Sequence, residues 1–181
     1  MKIVLIGIQG SGKSTQGNLL QEKLGVPYLA TGHIFRTIAK EDTSLGREIK
    51  HIMNAGYLIP DEKTIEIVEE YLSRPEYQKG YILDGFPRTV KQADAFGEGV
   101  DMVIYLRISD QEALNRIANR RDASREDETQ EAIKKRIESF HEFTKPVIAY
   151  YQEKGKLAEI DGEQSIDAIH TSILTALHHE K

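Results

Sequence analysis

The residues Gly7-Ile8-Gln9-Gly10-Ser11-Gly12-Lys13-Ser14 spell G-x-x-x-x-G-K-[ST] near the start of the chain. Glycines at this spacing let the backbone turn tightly, so that successive N–H groups point inward. The helix that follows adds the positive end of its dipole, and the whole becomes a cradle for phosphate oxygens. Gly10, Ser11, Gly12 and Thr15 belong to this cradle; Lys13 offers an ammonium to the β and γ phosphates, and Ser14 a hydroxyl to Mg²⁺. A triphosphate site also needs a carboxylate near its metal. Asp84 ends the apolar run Tyr81 to Leu83, a position from which an acid can hold Mg²⁺ or its waters.

These residues must be positioned by strands and helices. Lys2 to Ile6 and Gly80 to Leu83 have the length and branching of strands buried on both faces, as in a parallel sheet. Met102 to Ile108 is a third strand, followed by Ser109 and Glu112, a capping box that starts a helix towards Arg120. Lys156 to Ile160 is a strand, Asp161 and Gly162 a turn, and Ile166, Ile169, Ile173, Leu174 and Leu177 one helical stripe. This alternation predicts an α/β fold with a doubly wound parallel sheet. The mostly helical stretch from Thr31 to Tyr77, punctuated by Gly46, Gly56 and Pro60, exceeds an ordinary crossover and is expected to be a substrate-covering insert. Arg121 to Asp127 is polar, without apolar periodicity, and is expected to be an exposed loop. A long helix is expected from about Glu128 to Lys154, capped by Asp127 with Gln130 facing back, kinked at Pro146 and ended by Gly155. The expected organisation is one domain over 1–181, with a core of 1–30, 78–118 and 130–181, an insert of about 31–77 and a short lid of about 119–129.

At 181 residues and 39% hydrophobic, the chain can bury one substantial core. A net charge of -5 argues against a surface built for a nucleic-acid backbone, and the absence of cysteine excludes disulfides and thiolate metal sites. The apolar run after Lys2 ends at Gly7, too short for a signal or a membrane span, which points to a soluble cytoplasmic protein with no membrane partner.

Together with the phosphate cradle, Asp84-Gly85-Phe86-Pro87-Arg88-Thr89 followed by Gln92 resembles the adenylate kinase family of nucleoside monophosphate kinases, in its reduced-lid form. The resemblance covers essentially the whole chain. It implies a P-loop fold around a five-stranded sheet, and reversible Mg²⁺-dependent phosphoryl transfer from ATP to AMP, giving two ADP, by a monomer. It further implies that Arg36 and Arg88 hold the AMP phosphate, that Arg120, Arg125 and Arg136 close on the transferred group, and that Arg116 stacks on the ATP adenine. Thr31 and Gln92 stand where the family contacts the AMP base. Tyr57, Leu58, Ile59, Gly85, Phe86 and Pro87 would complete that pocket, and Gln164 belongs to the turn at the donor adenine.

The chemistry agrees with these roles. Two bound nucleotides repel each other unless Mg²⁺ and several cations cancel their charge, and guanidinium forks bidentately onto phosphate oxygens. An AMP phosphate is already an anionic nucleophile, so no general base is needed. Exclusion of water implies closure of the insert and the lid. Thr89 with Gln92 also reads as a helix capping box. The chain departs from the family in carrying His33 in place of an aspartate that helps position metal-bound waters. Ser124 stands where a glycine usually precedes the lid arginine, and a shortened interval leaves either Arg120 or Arg121 as the lid contact. The rivals are a UMP/CMP kinase, against which Thr31 and Gln92 count, and a non-catalytic ATP/AMP sensor, against which the retained arginines count. A kinase of sugars or other small alcohols would need a general base, and none stands out.

Overall fold

The computed structural model describes residues 1–97, 99–119 and 129–179. β1 (Lys2–Ile6) carries four consecutive buried residues, Ile3 to Ile6, and so has no wet face. It lies at the centre of a parallel sheet with β2 (Tyr28–Ala30), β3 (Tyr81–Asp84), β4 (Met102–Arg107) and β5 (Leu157–Asp161), in the order β2-β3-β1-β4-β5. The two-residue period of the strand divides its side chains between two apolar layers. Ile3 and Leu5 pack with Ile82, Ile104 and Leu106 beneath α1 (Lys13–Leu24) and α9 (Ile166–His179). Val4 and Ile6 join Leu83, Val103 and Tyr105 on the opposite face, with Phe35, Val68, Phe140 and Val147 from helices on that side.

Leu5 pairs with Asp84, Ala30 also pairs with Asp84, and Ile6 pairs with Tyr105. The strands therefore end level, and the loop after β1 and the loop after β3 emerge side by side. Since β3 and β4 flank β1, this is the point where strand order reverses, and open α/β sheets place ligands outside the carboxyl ends of strands there. Strand bounds differ from expectation by about one residue, as in β3 and β5. β2, only three residues long, was not separable from its flanks in the sequence.

The connection from β2 to β3 runs through α2 (Thr31–Ile38), α3 (Ser44–Asn54), α4 (Asp61–Leu72) and a 3₁₀ turn at Pro75–Tyr77. Gly46 does not punctuate it. It lies inside α3, where a Cβ would stand 2.4 Å from the Glu41 carbonyl oxygen and 2.6 Å from that of Ile38, so the glycine serves a close approach of two helices.

After β3 come α5 (Val90–Phe96), β4 and α6 (Asp110–Ala118). Ser109 caps α6 by accepting the Glu112 N–H, but Glu112 does not reciprocate: its carboxylate pairs with Arg116 at 2.6 Å. Glu163, from the turn after β5, takes both the Ser109 N–H and its hydroxyl at 2.7 Å, which closes the box from another element.

The expected long helix begins at Gln130 and runs without a break to Glu153, with a widened turn inside it. α7 (Gln130–Ser139) is capped by Thr129, whose hydroxyl accepts the Ala132 N–H; Asp127 and Glu128 lie outside the described residues. A π-turn at Phe140–Thr144 joins it to α8 (Lys145–Glu153). Pro146 has no N–H for a carbonyl four residues back, and the Lys145 N–H reaches five residues back to Phe140, so the kink takes the form of a widened turn. Among the described residues no helix is long and apolar enough to cross a membrane.

Candidate active site

A cavity of about 200 Å³ opens at the carboxyl ends of β1 and β3. Gly10, Gly12, Lys13 and Ser14 border it on one side, and Arg36, Tyr57, Leu58, Ile59, Asp84, Gly85, Pro87, Arg88, Gln92 and Arg136 on the other. Residues from five separate stretches of sequence thus meet around one space.

The phosphate cradle is built on Gly12, the N-cap of α1. Its φ of 92° is in the region that favours glycine, and a Cβ there would meet nothing within 4 Å, so the loop faces open space. Lys13 Nζ donates to the Gly7 and Ile8 carbonyls at 2.7 and 3.1 Å, which keeps the ammonium over the loop. Asp84 is held by Tyr28, whose hydroxyl donates to Oδ2 at 2.7 Å. The Tyr28 ring lies over Gly17 of α1, where a Cβ would approach ring carbons to 2.3–2.9 Å, so only glycine permits this seat. Ser14 and Asp84 bring oxygen donors to the cavity, and among the described residues no imidazole borders it, a donor set that fits a hard cation such as Mg²⁺.

Arg88 is fixed on three sides. Its Nε donates to the Gly85 carbonyl at 2.9 Å, its backbone N–H to Gln92 Oε1 at 2.7 Å, and its carbonyl accepts the Thr144 hydroxyl at 3.0 Å. Burial pulls the Arg88 guanidinium down from its ordinary value; Asp84 opposes this, while Arg136 and Arg36 add to it. Guanidiniums that disfavour each other's charge at a cavity wall form a site that an anion stabilises. Arg136 reaches this wall from α7, with Nη2 donating to the Met53 carbonyl at 3.0 Å.

Other expected residues stand elsewhere. Thr31 is buried behind the wall and donates to the Asp84 carbonyl at 3.1 Å, tying α2 to β3. Ser11 is buried beneath the loop, Thr15 is exposed, and Phe86 is buried against Phe96. Arg116 pairs with Glu112, and Gln164 donates to Asp161 at 3.4 Å; neither borders the cavity. His33 is exposed in the first turn of α2 and also does not border it. Arg120, Arg121, Ser124 and Arg125 lie outside the described residues. Tyr28, Asp61 and Thr144 were not anticipated, because their roles come from contacts across 56, 31 and 56 residues.

A family model described as "Adenylate kinase" matches residues 5–156. The chain belongs to the adenylate kinase family. It is 38% identical to an adenylate kinase of Kocuria rhizophila over 184 positions, covering 97% of this chain and 98% of that one. It is 37% identical to that of Stenotrophomonas maltophilia over 185 positions, covering 98% and 99%. With the adenylate kinase of Acetivibrio thermocellus the identity is 34% over 212 positions, covering 98% of each. This chain is therefore close in length to the first two relatives and shorter than the third within the matched span.

Proposed function

We propose that this chain catalyses reversible phosphoryl transfer from ATP to AMP, giving two ADP, through the cavity at the carboxyl ends of β1 and β3. The observation that carries the assignment of the site is the meeting of two anion sites on one space: the glycine loop with Lys13 and Ser14, and the cluster of Arg36, Arg88 and Arg136. Transfer between two nucleotides requires both, held in line.

In this reading Gly10, Ser11, Gly12, Lys13, Ser14 and Thr15 take the ATP phosphates. Arg36 and Arg88 take the AMP phosphate, which attacks directly as an anion. Mg²⁺, held by Ser14 and Asp84 in part through water, would neutralise charge on the transferred group. Tyr57, Leu58, Ile59, Gly85 and Gln92 surround the AMP base, while Arg116 and Gln164 belong to the donor adenine side. Arg136, with Arg120 and Arg125 of the short lid at about 119–129, closes over the reacting centre, as the insert at about 31–77 does from the other side. The shorter length shared with the Kocuria and Stenotrophomonas relatives favours a reduced lid. The enzyme acts as a monomer in the cytoplasm, where ATP and AMP are held.

ADP formation measured with ATP and AMP, CMP, UMP or GMP in turn tests this. AMP is expected to give the highest kcat/KM; faster turnover of CMP or UMP would replace the assignment with a pyrimidine monophosphate kinase.

A further inference from the structure

Gln92 has a carboxamide whose two ends are told apart by their partners. Its Oε1 accepts the backbone N–H of Arg88 at 2.7 Å, and a backbone N–H can only donate. Its Nε2 donates to Asp61 Oδ1 at 2.8 Å, and a carboxylate can only accept. The same Oδ1 accepts the Thr89 hydroxyl at 3.0 Å, and that hydroxyl accepts the Gln92 N–H at 3.1 Å, which closes a ring of bonds. Asp61 itself lies in the first turn of α4, behind the wall, and does not border the cavity, whereas Gln92 does.

These contacts use one N–H and one lone pair of the carboxamide. The carboxamide keeps a second N–H and a second lone pair, and the two contacts fix which end donates and which accepts. A base edge with a ring acceptor beside an exocyclic amino group, as in adenine, matches that assignment. An edge with a ring N–H beside a carbonyl, as in hypoxanthine or guanine, meets donor with donor and acceptor with acceptor. Turning the amide over to suit the second edge would break both bonds at once and set its oxygen against a carboxylate.

We propose that Asp61 is a specificity-determining positioning residue, which fixes the Gln92 carboxamide and so makes the acceptor site select 6-amino over 6-keto purine monophosphates. This rests on the reading of Gln92 as the contact to the acceptor base. The flip is held by Asp61 and by the Arg88 N–H, so removing Asp61 weakens the selection without abolishing it. Asn at this position keeps an Oδ1 that can accept both bonds; Ala does not.

The test compares kcat/KM for AMP and for IMP, with ATP as donor, in the unmodified enzyme and in Asp61→Asn, Asp61→Ala and Gln92→Ala. Thermal melts establish that each variant is folded. Asp61→Ala is expected to lower the AMP-to-IMP ratio about tenfold, the scale of one hydrogen bond to a charged partner. Asp61→Asn should retain the ratio. Asp61→Ser, whose hydroxyl is too short to reach Gln92, takes the place of the alanine variant if that one melts below the assay temperature. If Asp61→Ala or Asp61→Ser changes both substrates equally while Gln92→Ala shifts the ratio, Asp61 is only structural and the proposal fails with the base contact intact. An unchanged ratio in Gln92→Ala would overturn the base contact and this proposal together.

Discussion

Asp84 and Arg88 are four residues apart, yet each depends on a side chain far away in sequence. The Tyr28 hydroxyl donates to one oxygen of Asp84, a residue that borders the cavity. Tyr28→Phe keeps the ring over Gly17 and removes the donor. It is expected to raise the Mg²⁺ concentration for half-maximal rate about fivefold with little change in Tm, in line with one part-exposed hydrogen bond to a charged group. A metal titration of ADP formation that superimposes on the unmodified enzyme would make Tyr28 a packing residue only. With Arg88 on the reacting phosphates as proposed, Arg88→Ala should lower turnover at least ~100-fold in a folded protein. Near-normal turnover would remove Arg88 from the machinery. The placement of Lys13, Ser14, Asp84 and Arg88 around one cavity was legible in the sequence because it is set by local backbone that glycines shape. The contacts of Tyr28 and Asp61 were not, because nothing within a few residues of either announces its partner.

At the scale of elements, the π-turn between α7 and α8 delivers Thr144 to the Arg88 carbonyl. Thr144→Val conserves shape and leaves that carbonyl without this donor. The loss should loosen the turn that carries Arg88, so KM for AMP is expected to rise about fivefold, the scale of one net hydrogen bond. A KM unchanged in steady-state kinetics would show that Gly85 and Gln92 hold Arg88 unaided. The central strands were legible because consecutive buried apolar residues have few other readings, as in Ile3 to Ile6. β2 was not, since three residues carry no period; its strand character comes from pairing with β3, Tyr28 beside Ile82 and Ala30 beside Asp84. Pro146 marked the disturbance in the long helix but not its form. Whether a missing N–H yields a bend or a widened turn depends on what the displaced side chains can reach, and here Thr144 reaches Arg88.

At the scale of the whole molecule, the apolar layer that carries the arginine wall also buries tyrosines, and this couples stability to alkaline pH. Burial pushes the Tyr81 phenol up to about 12 from 10.0, with Asp101 adding to the effect, and burial pushes Tyr151 up as well, helped by Tyr150. A folded-state value above the unfolded one means that the neutral phenol is the form the fold favours. This contribution is complete below pH 10.0 and is lost as pH rises towards about 12. Lysines titrate in the same range, so the tyrosine share must be isolated by substitution. Tyr151 is the better probe, because its buried hydroxyl has no hydrogen-bond partner among the described residues. Removing an unsatisfied hydroxyl relieves a desolvation penalty of roughly 1 kcal/mol. For a chain of this size that corresponds to a rise in Tm of about 2–4 °C. Tyr151→Phe should therefore melt higher than the unmodified protein near neutral pH. Its advantage should widen above pH 10.0, where the unfolded Tyr151 of the parent gains stability by ionising and phenylalanine cannot. Melting curves from pH 7 to 11 decide it: a constant or shrinking gap between the two proteins would mean that Tyr151 does not carry the alkaline loss.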